Sequence, residues 1–391
     1  MIDTTDPQRL HRAAPLWYAY VMLGIVTYFM NIQGNIVPFL KAELDLSYRI
    51  VSLHPSAMAG GMFLIGFFSD RVMARFGRRR TNWIGMAGIC VGALMICVAT
   101  NVWVSLPGFA LIGLFGSLLP TVSVAVIADT PLRWRTQAFA ESNAMAYVFA
   151  TMAPLLTGLS VYLALDWRSP LIAGIAAGLI VIFLHRRTAL AERPAYHGAA
   201  PAALPAAYWA YWVLLMLGVA MEFAVVIWSP EFLERVVGLS RGGAATGAAA
   251  FFVAVLIGRI AGSRLVRTIP TRTLYLAALA LTFIGFLIYW GVEGPVAAIV
   301  GLFVLGLGIA QYYPLTVAFA VHAAGAAAEK GSARFMSAVG LAIIVTPAIM
   351  GVLADSYGLR LAHLVLPVLV TAGLGCFLLA QNLERRRVAA A

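Results

Sequence analysis

The chain of 391 residues is 62% hydrophobic, carries only 11% charged residues and has a mean hydropathy of +0.90. Water-soluble domains average about 25% charged residues, so this composition excludes an ordinary soluble protein. The three cysteines, Cys90, Cys97 and Cys376, lie inside apolar runs without metal-ligand spacing. We therefore expect no disulfide, no metal and no cofactor. The composition predicts an integral membrane protein.

Taken in chain order, the apolar residues form twelve segments of roughly the 20 residues that a helix needs to cross a bilayer. The segments are 16–40, 48–70, 81–100, 104–128, 138–164, 167–187, 208–230, 241–266, 273–292, 295–322, 332–356 and 359–382. Each is continuously apolar, whereas the strands of a membrane barrel alternate apolar with polar residues. The sequence therefore predicts an all-α membrane protein with twelve transmembrane helices.

The net charge of +11 comes from short basic clusters between the apolar segments, without an extended basic surface. We therefore expect no nucleic-acid partner. Most of the 27 Lys and Arg residues lie at the chain ends or in the loops that follow even-numbered segments. Because Lys and Arg are enriched in cytoplasmic loops, we expect a multi-pass protein of the cell (inner) membrane with both termini in the cytoplasm.

The second half of the chain repeats the glycine and proline positions of the first half at an offset of about 193 residues. The matched pairs include Trp17 with Trp209, Pro38 with Pro230, Pro120 with Pro314, and Arg168 with Arg360. We predict an N-terminal six-helix bundle over 1–187, a cytoplasmic linker over 188–207 and a C-terminal six-helix bundle over 208–391. Two similar bundles suit a transporter in which one half rocks against the other.

The loop after the second segment carries a glycine, an Asp-Arg pair and a Gly-Arg-Arg run, at Gly66, Asp70-Arg71 and 77–79. This loop resembles the signature loop of the major facilitator superfamily, with a spacer two residues longer than the commonest form. A second, degraded copy begins at Gly258-Arg259 and lacks the aspartate. The resemblance covers nearly the whole chain and implies two pseudo-symmetric six-helix bundles, a secondary transporter and alternating access; it assigns no subfamily.

The resemblance also implies that the signature loop is a latch that holds the cytoplasmic side shut. Asp70 can accept hydrogen bonds from nearby arginines or face a helix N-terminus; the alternative is that the loop only anchors at the headgroups. The candidate gating residues are Gly66, Asp70, Arg71, Gly77, Arg78, Arg79, Asp129, Arg135 and His322.

The clearest ionisable residue inside an apolar segment is Glu222, near the middle of the seventh. An intramembrane charge is by default a functional hypothesis. Glu222 carries a coupling proton, balances a cationic substrate, or pairs with a structural partner; the sequence leaves these alternatives open. Arg259 lies nearer the end of the eighth segment, where we expect its long side chain to reach the headgroups.

In the family that the loop resembles, the first, fourth, seventh and tenth segments line the central cavity. Polar residues at helical spacing in these segments, with Tyr147 of the fifth, are therefore the candidate substrate-binding residues. They are Glu222, Tyr28, Asn31, Asn35, Ser117, Thr121, Tyr147, Trp228, Gln311, Tyr312 and Tyr313. The aromatic members supply cavity walls or merely pack.

The sequence favours transport over catalysis, because the segments have no convergent catalytic groups. It has no ATP-binding loop, so we do not expect ATP to be the direct source of work. We expect a monomeric, proton-coupled transporter and not an enzyme. No basic residue is evident at mid-depth, so the sequence favours a small neutral or cationic organic solute, with a slight preference for export. The alternatives are a proton-coupled importer of a sugar or other metabolite, and a lipid flippase on the same scaffold.

Overall fold

The computed structural model describes residues 13–188, 190, 203–327, 331 and 334–390. Sixteen α-helices are assigned within these ranges. The first half contains α1 (Ala14–Glu43), α2 (Tyr48–Val51), α3 (Leu53–Gly66), α4 (Ser69–Cys97), α5 (Val102–Gly116), α6 (Leu118–Ala128), α7 (Leu132–Tyr162) and α8 (Ser169–Leu184). The second half contains α9 (Ala206–Arg235), α10 (Arg241–Leu265), α11 (Thr271–Gly291), α12 (Pro295–Ile309), α13 (Tyr312–Ala324), α14 (Phe335–Tyr357), α15 (Leu359–Ala362) and α16 (Val365–Ala390).

Each of the twelve predicted segments contains helix, so the predicted all-α membrane fold is confirmed. Within the described part of the chain, 10 helical stretches are long and apolar enough to cross a membrane, and Ser169–Leu184 is a shorter apolar helix. The predicted second segment is divided into α2 and α3. The linker predicted at 188–207 lies largely outside the described residues.

The signature loop contains a sharp change of backbone direction at Gly77. This residue has φ 74° and ψ 162° and interrupts the helical conformation of α4. A positive φ is readily adopted only by glycine, which has no Cβ atom. Gly77 therefore lets the chain turn from the loop helix of 69–76 into the membrane segment that follows.

Each half of the chain has its own apolar core. One cluster of buried side chains extends from Tyr18 to Ile182, and a larger one is formed mainly by residues from Ala207 to Ala380. Burial of apolar side chains against neighbouring helices is what holds each set of helices together, since dispersion contacts favour close packing within a membrane.

The two faces of the helix bundle can be distinguished by their contacts. At one face the start of α1 packs against the end of α6 through Leu16, Val126 and Ile127. We call this the terminal face, because α1 begins there. The last helix also ends at this face: near the end of α16, Glu384 accepts a hydrogen bond from the hydroxyl of Tyr211, which lies at the start of α9. At the opposite face the start of α2 contacts the ends of α9 and α14.

Candidate functional site

The two halves are fastened together at the opposite face by two carboxylates of the second half. Asp355 accepts hydrogen bonds from the backbone N–H groups of Tyr48 and Arg49, each at 2.8 Å. Glu231 accepts the Tyr48 hydroxyl at 3.0 Å, and Lys41 Nζ lies 3.8 Å from the same oxygen. Charge-assisted bonds of this kind are stronger than neutral ones, so these contacts hold the opposite face closed.

Further from the opposite face than these contacts, α1 and α9 come into backbone contact at Gly34. A methyl group at this position would lie 2.0 Å from the carbonyl oxygen of Val226. We call the contact between residues 33–35 and 226–229 the seam. Because only glycine allows this approach, α1 and α9 are in close backbone contact at the seam.

Polar side chains are buried at the seam without hydrogen-bond partners among the described residues. The unpaired atoms are Oε1 of Gln33, both amide atoms of Asn35, Nε1 of Trp228 and Oγ of Ser229. An unpaired buried polar group costs about 1–3 kcal/mol. Opening of the seam would give these atoms access to water.

On the terminal half of the molecule, a cavity of about 560 Å³ lies between the two halves of the chain. Its wall includes Gly66, Ser117 and Thr121 from the first half and Ser337 and Gly340 from the second. The two halves are therefore bonded to each other at the opposite face and enclose a cavity towards the terminal face. Three residues predicted from the sequence, Gly66, Ser117 and Thr121, lie on this wall.

At mid-depth, a bridge of side chains joins the two halves through Tyr147. The Tyr147 hydroxyl donates to Oε1 of Glu222 at 2.8 Å and accepts from Nη2 of Arg259 at 2.7 Å. The guanidinium of Arg259 also lies over the Tyr147 ring, 4.3 Å from its centroid. We call Tyr147, Glu222 and Arg259 the charge bridge; α7 contributes the tyrosine, α9 the carboxylate and α10 the guanidinium.

All three members of the charge bridge are half-buried. Tyr313 is close enough to Glu222 and Arg259 to interact electrostatically with both. A phenol between a carboxylate and a guanidinium stabilises both charges, since it donates a hydrogen bond to the carboxylate and accepts one from the guanidinium. A change of charge at Glu222 would therefore alter the electrostatic surroundings of Arg259.

The other predicted substrate-binding residues lie elsewhere. Asn35 and Trp228 lie at the seam, and Asn31 donates to the Thr27 carbonyl of its own helix at 2.7 Å. Tyr28 donates to the Pro170 carbonyl at 2.8 Å within the first half. Gln311 and Tyr312 are bonded within the second half, to the carbonyl oxygen of Gly258 and the hydroxyl of Thr282. The structure thus brings Glu222, Tyr147 and Tyr313 together and leaves Tyr28, Gln311 and Tyr312 in intra-half packing.

The predicted gating residues lie at the terminal face. Arg78 forms an ion pair with Asp129, which ties α4 to the end of α6 within the first half. Arg79 donates to the Thr188 carbonyl at 2.8 Å, and the Nε atom of Arg135 is buried without a partner among the described residues. The Arg71 guanidinium lies 5.8 Å from the centroid of the Phe68 ring, and His322 is exposed in the last turn of α13. The side chain of Asp70 lies outside the described part of the structure.

Sequence reasoning missed the roles of Arg259, Glu231 and Asp355. Arg259 was expected at the headgroups, but its guanidinium lies against Tyr147. The internal repeat could have drawn attention to Arg259, because the degraded copy of the signature loop has this arginine directly after Gly258. Glu231 and Asp355 lie near helix ends, where sequence alone does not separate a solvated carboxylate from one that bonds another helix.

Comparison with known proteins gives a consistent family. The profile of the Major Facilitator Superfamily matches residues 19–333. An uncharacterized MFS-type transporter of Yersinia pestis is 22% identical over 338 residues, which cover 85% of this chain and 87% of that protein.

Two solved structures share the architecture. A bacterial homologue of the human lysosomal transporter Spinster, in an inward-facing and occupied conformation, has a TM-score of 0.72 at 15% identity and covers 96% of this chain and 98% of its own. A D-xylose–proton symporter has a TM-score of 0.71 at 13% identity, with coverage of 92% and 96%. At these sequence identities, the similarity shows that this chain and the two solved structures share a fold.

Proposed function

The chain belongs to the major facilitator superfamily of transporters, and we propose that it moves a small organic solute by alternating access, with a proton carried by Glu222. The observation that carries this proposal is the charge bridge between Tyr147, Glu222 and Arg259. It joins the two halves of the chain, so a change of charge at Glu222 acts directly on the interface that must move. Its mid-depth position matches the place where secondary transporters bind coupling ions.

We further propose that the cavity near the terminal face is the open entrance. In this proposal the protein lies in the cell inner membrane as a monomer, its termini are cytoplasmic, and the structure faces inward. The fastening at Asp355 and Glu231 must break when the opposite face opens. The signature loop, with Asp70, Arg71, Arg78 and Asp129, then closes the terminal face.

The same geometry changes the argument about substrate charge. The expectation of a neutral or cationic solute depended on finding no basic residue at mid-depth, and Arg259 is such a residue. The direction of transport depends on how proton and solute share the site. Export against an inward proton gradient requires that they compete for Glu222, whereas uptake requires that they are bound together.

A lipid or another amphiphile is a second candidate substrate, because the structure has a side opening. An apolar groove of about 980 Å³ lies between α7 and α10 near the opposite face. Its wall includes Leu155, Leu159 and Ile299, with Arg241 among the polar lining residues. A flippase on this scaffold would admit acyl chains through such a groove.

The proposed function can be tested with purified protein in liposomes that enclose a pH-sensitive dye. Radiolabelled benzoate, glucose and tetraphenylphosphonium represent the anionic, neutral and cationic classes, and a fluorescent phospholipid reports flipping. We expect one solute class to move protons across the membrane and, when a pH gradient is imposed, to accumulate beyond its level in protein-free liposomes, which measure passive permeation of benzoic acid and tetraphenylphosphonium. Solute flux that ignores the gradient would contradict proton coupling, and lipid flipping without solute flux would favour the second candidate.

A further inference from the structure

Arg259 is a cation with unused hydrogen-bonding capacity. Its Nη2 atom donates to Tyr147, while its Nε atom is buried without a partner, and no described residue accepts from Nη1. The guanidinium has five N–H donors in a planar fork that matches the two oxygens of a carboxylate. A half-buried guanidinium with free donors can form charge-assisted hydrogen bonds to an anion.

The charge balance of the bridge indicates when that anion binds. Ionised Glu222 offsets Arg259 through the Tyr147 hydroxyl. When Glu222 is protonated, the positive charge of Arg259 is left uncompensated in a medium of low dielectric constant, where charge interactions are strong. A negative ligand restores the balance, and one guanidinium balances a single negative charge.

We infer that Arg259 binds the carboxylate of a small monocarboxylate solute and that this binding is coupled to protonation of Glu222. This inference rests on the proposed function and names the substrate class of the same site. The solute carboxylate takes the Nε and Nη1 donors of Arg259, and the proton remains on Glu222. One proton and one monocarboxylate then cross together without net charge movement.

The aromatic surroundings favour the same class. The Tyr147 ring already stacks against the guanidinium at 4.3 Å, and Tyr313 lies beside both charges. The Tyr147 ring can contact an apolar group attached to the carboxylate, because it offers contact area without further charge. A dianion would leave one negative charge unpaired at this site.

The test measures binding of benzoate and butyrate to detergent-solubilised protein by titration calorimetry, near pH 7, where both probes are ionised. Arg259→Gln should weaken binding roughly ten- to hundredfold, the usual range for losing charge-assisted hydrogen bonds. Arg259→Lys should retain part of the affinity, and Glu222→Gln, which mimics the protonated carboxyl, should bind more tightly than the wild type. Arg264→Gln is the matched control, since Arg264 is exposed on the same helix and should bind like the wild type.

The inference is overturned if neither carboxylate binds the wild-type protein, or if Arg259→Gln binds them unchanged. Thermal melting of each variant identifies one that fails to fold, and Arg259→Lys then decides the question. Failure here is distinguishable from failure of the proposed function. Proton flux driven by glucose or tetraphenylphosphonium would uphold proton-coupled transport and reject the carboxylate as substrate. Arg259-dependent binding of a carboxylate without proton flux would uphold the carboxylate site and reject proton-coupled transport.

Discussion

Substitution of Gly34 by alanine should trap the transporter with its opposite face open. The new methyl group would lie 2.0 Å from the Val226 carbonyl oxygen, and both atoms belong to backbone or are fixed to it. The clash is relieved only if α1 and α9 separate. Overpacking of this kind costs roughly 1–3 kcal/mol, which shifts the population away from the closed seam by about 5- to 150-fold.

Labelling of a cysteine placed at Ser229 measures this shift. Ser229 is buried in the closed seam, so a membrane-impermeant maleimide added from the opposite face reacts only when the seam opens. The three native cysteines are first replaced by serine. Gly60→Ala is the matched control, because a methyl group at Gly60 meets nothing within 4 Å. Equal labelling rates in the Gly34→Ala and control proteins would show that the seam does not regulate access.

Replacement of Glu222 by glutamine should abolish accumulation driven by a pH gradient while it leaves solute exchange intact. Glutamine keeps the size of the side chain and an oxygen that can accept the Tyr147 hydroxyl, but it cannot exchange a proton with the solvent. If one proton accompanies one solute, a gradient of one pH unit supports about tenfold accumulation in the wild type. In Glu222→Gln we expect the internal concentration to equal the external one.

The matched control is Glu234→Gln on the same helix. Glu234 pairs with Arg241 at 3.1 Å near the opposite face and lies outside the charge bridge. This variant should accumulate solute like the wild type. If Glu222→Gln also accumulates solute like the wild type, Glu222 has a structural role and another group carries the proton.

The helices were predictable from the sequence because long apolar segments leave the backbone no other way to satisfy its hydrogen bonds in lipid. The break between α2 and α3 was not predicted, although Pro55 lies in the first turn of α3, directly after it. From the sequence, Gly77 could be identified as a glycine of the signature loop, but the turn that it makes could not be predicted. Its positive φ depends on how the loop packs.

The candidate site was only partly predictable. Glu222 and Tyr147 were identified separately, the first by its charge inside an apolar segment and the second as an aromatic residue. Their contact with each other and with Arg259 depends on the relative rotation of three helices from two halves. Apolar segments carry little periodicity that fixes such rotations, so a sequence predicts which residues are unusual more readily than which residues meet.

The most direct measurement of the central claim, that the two halves pivot about this interface, is a pair of spin-label distances across it. One pair, Asn101 and Glu293, reports the opposite face, and the other, Arg80 and Arg272, reports the terminal face; all four positions are exposed. We expect a short distance at the opposite face and a long one at the terminal face in the wild type, and the reverse in Gly34→Ala. Distances that stay fixed, or that lengthen together at both faces, would contradict alternating access.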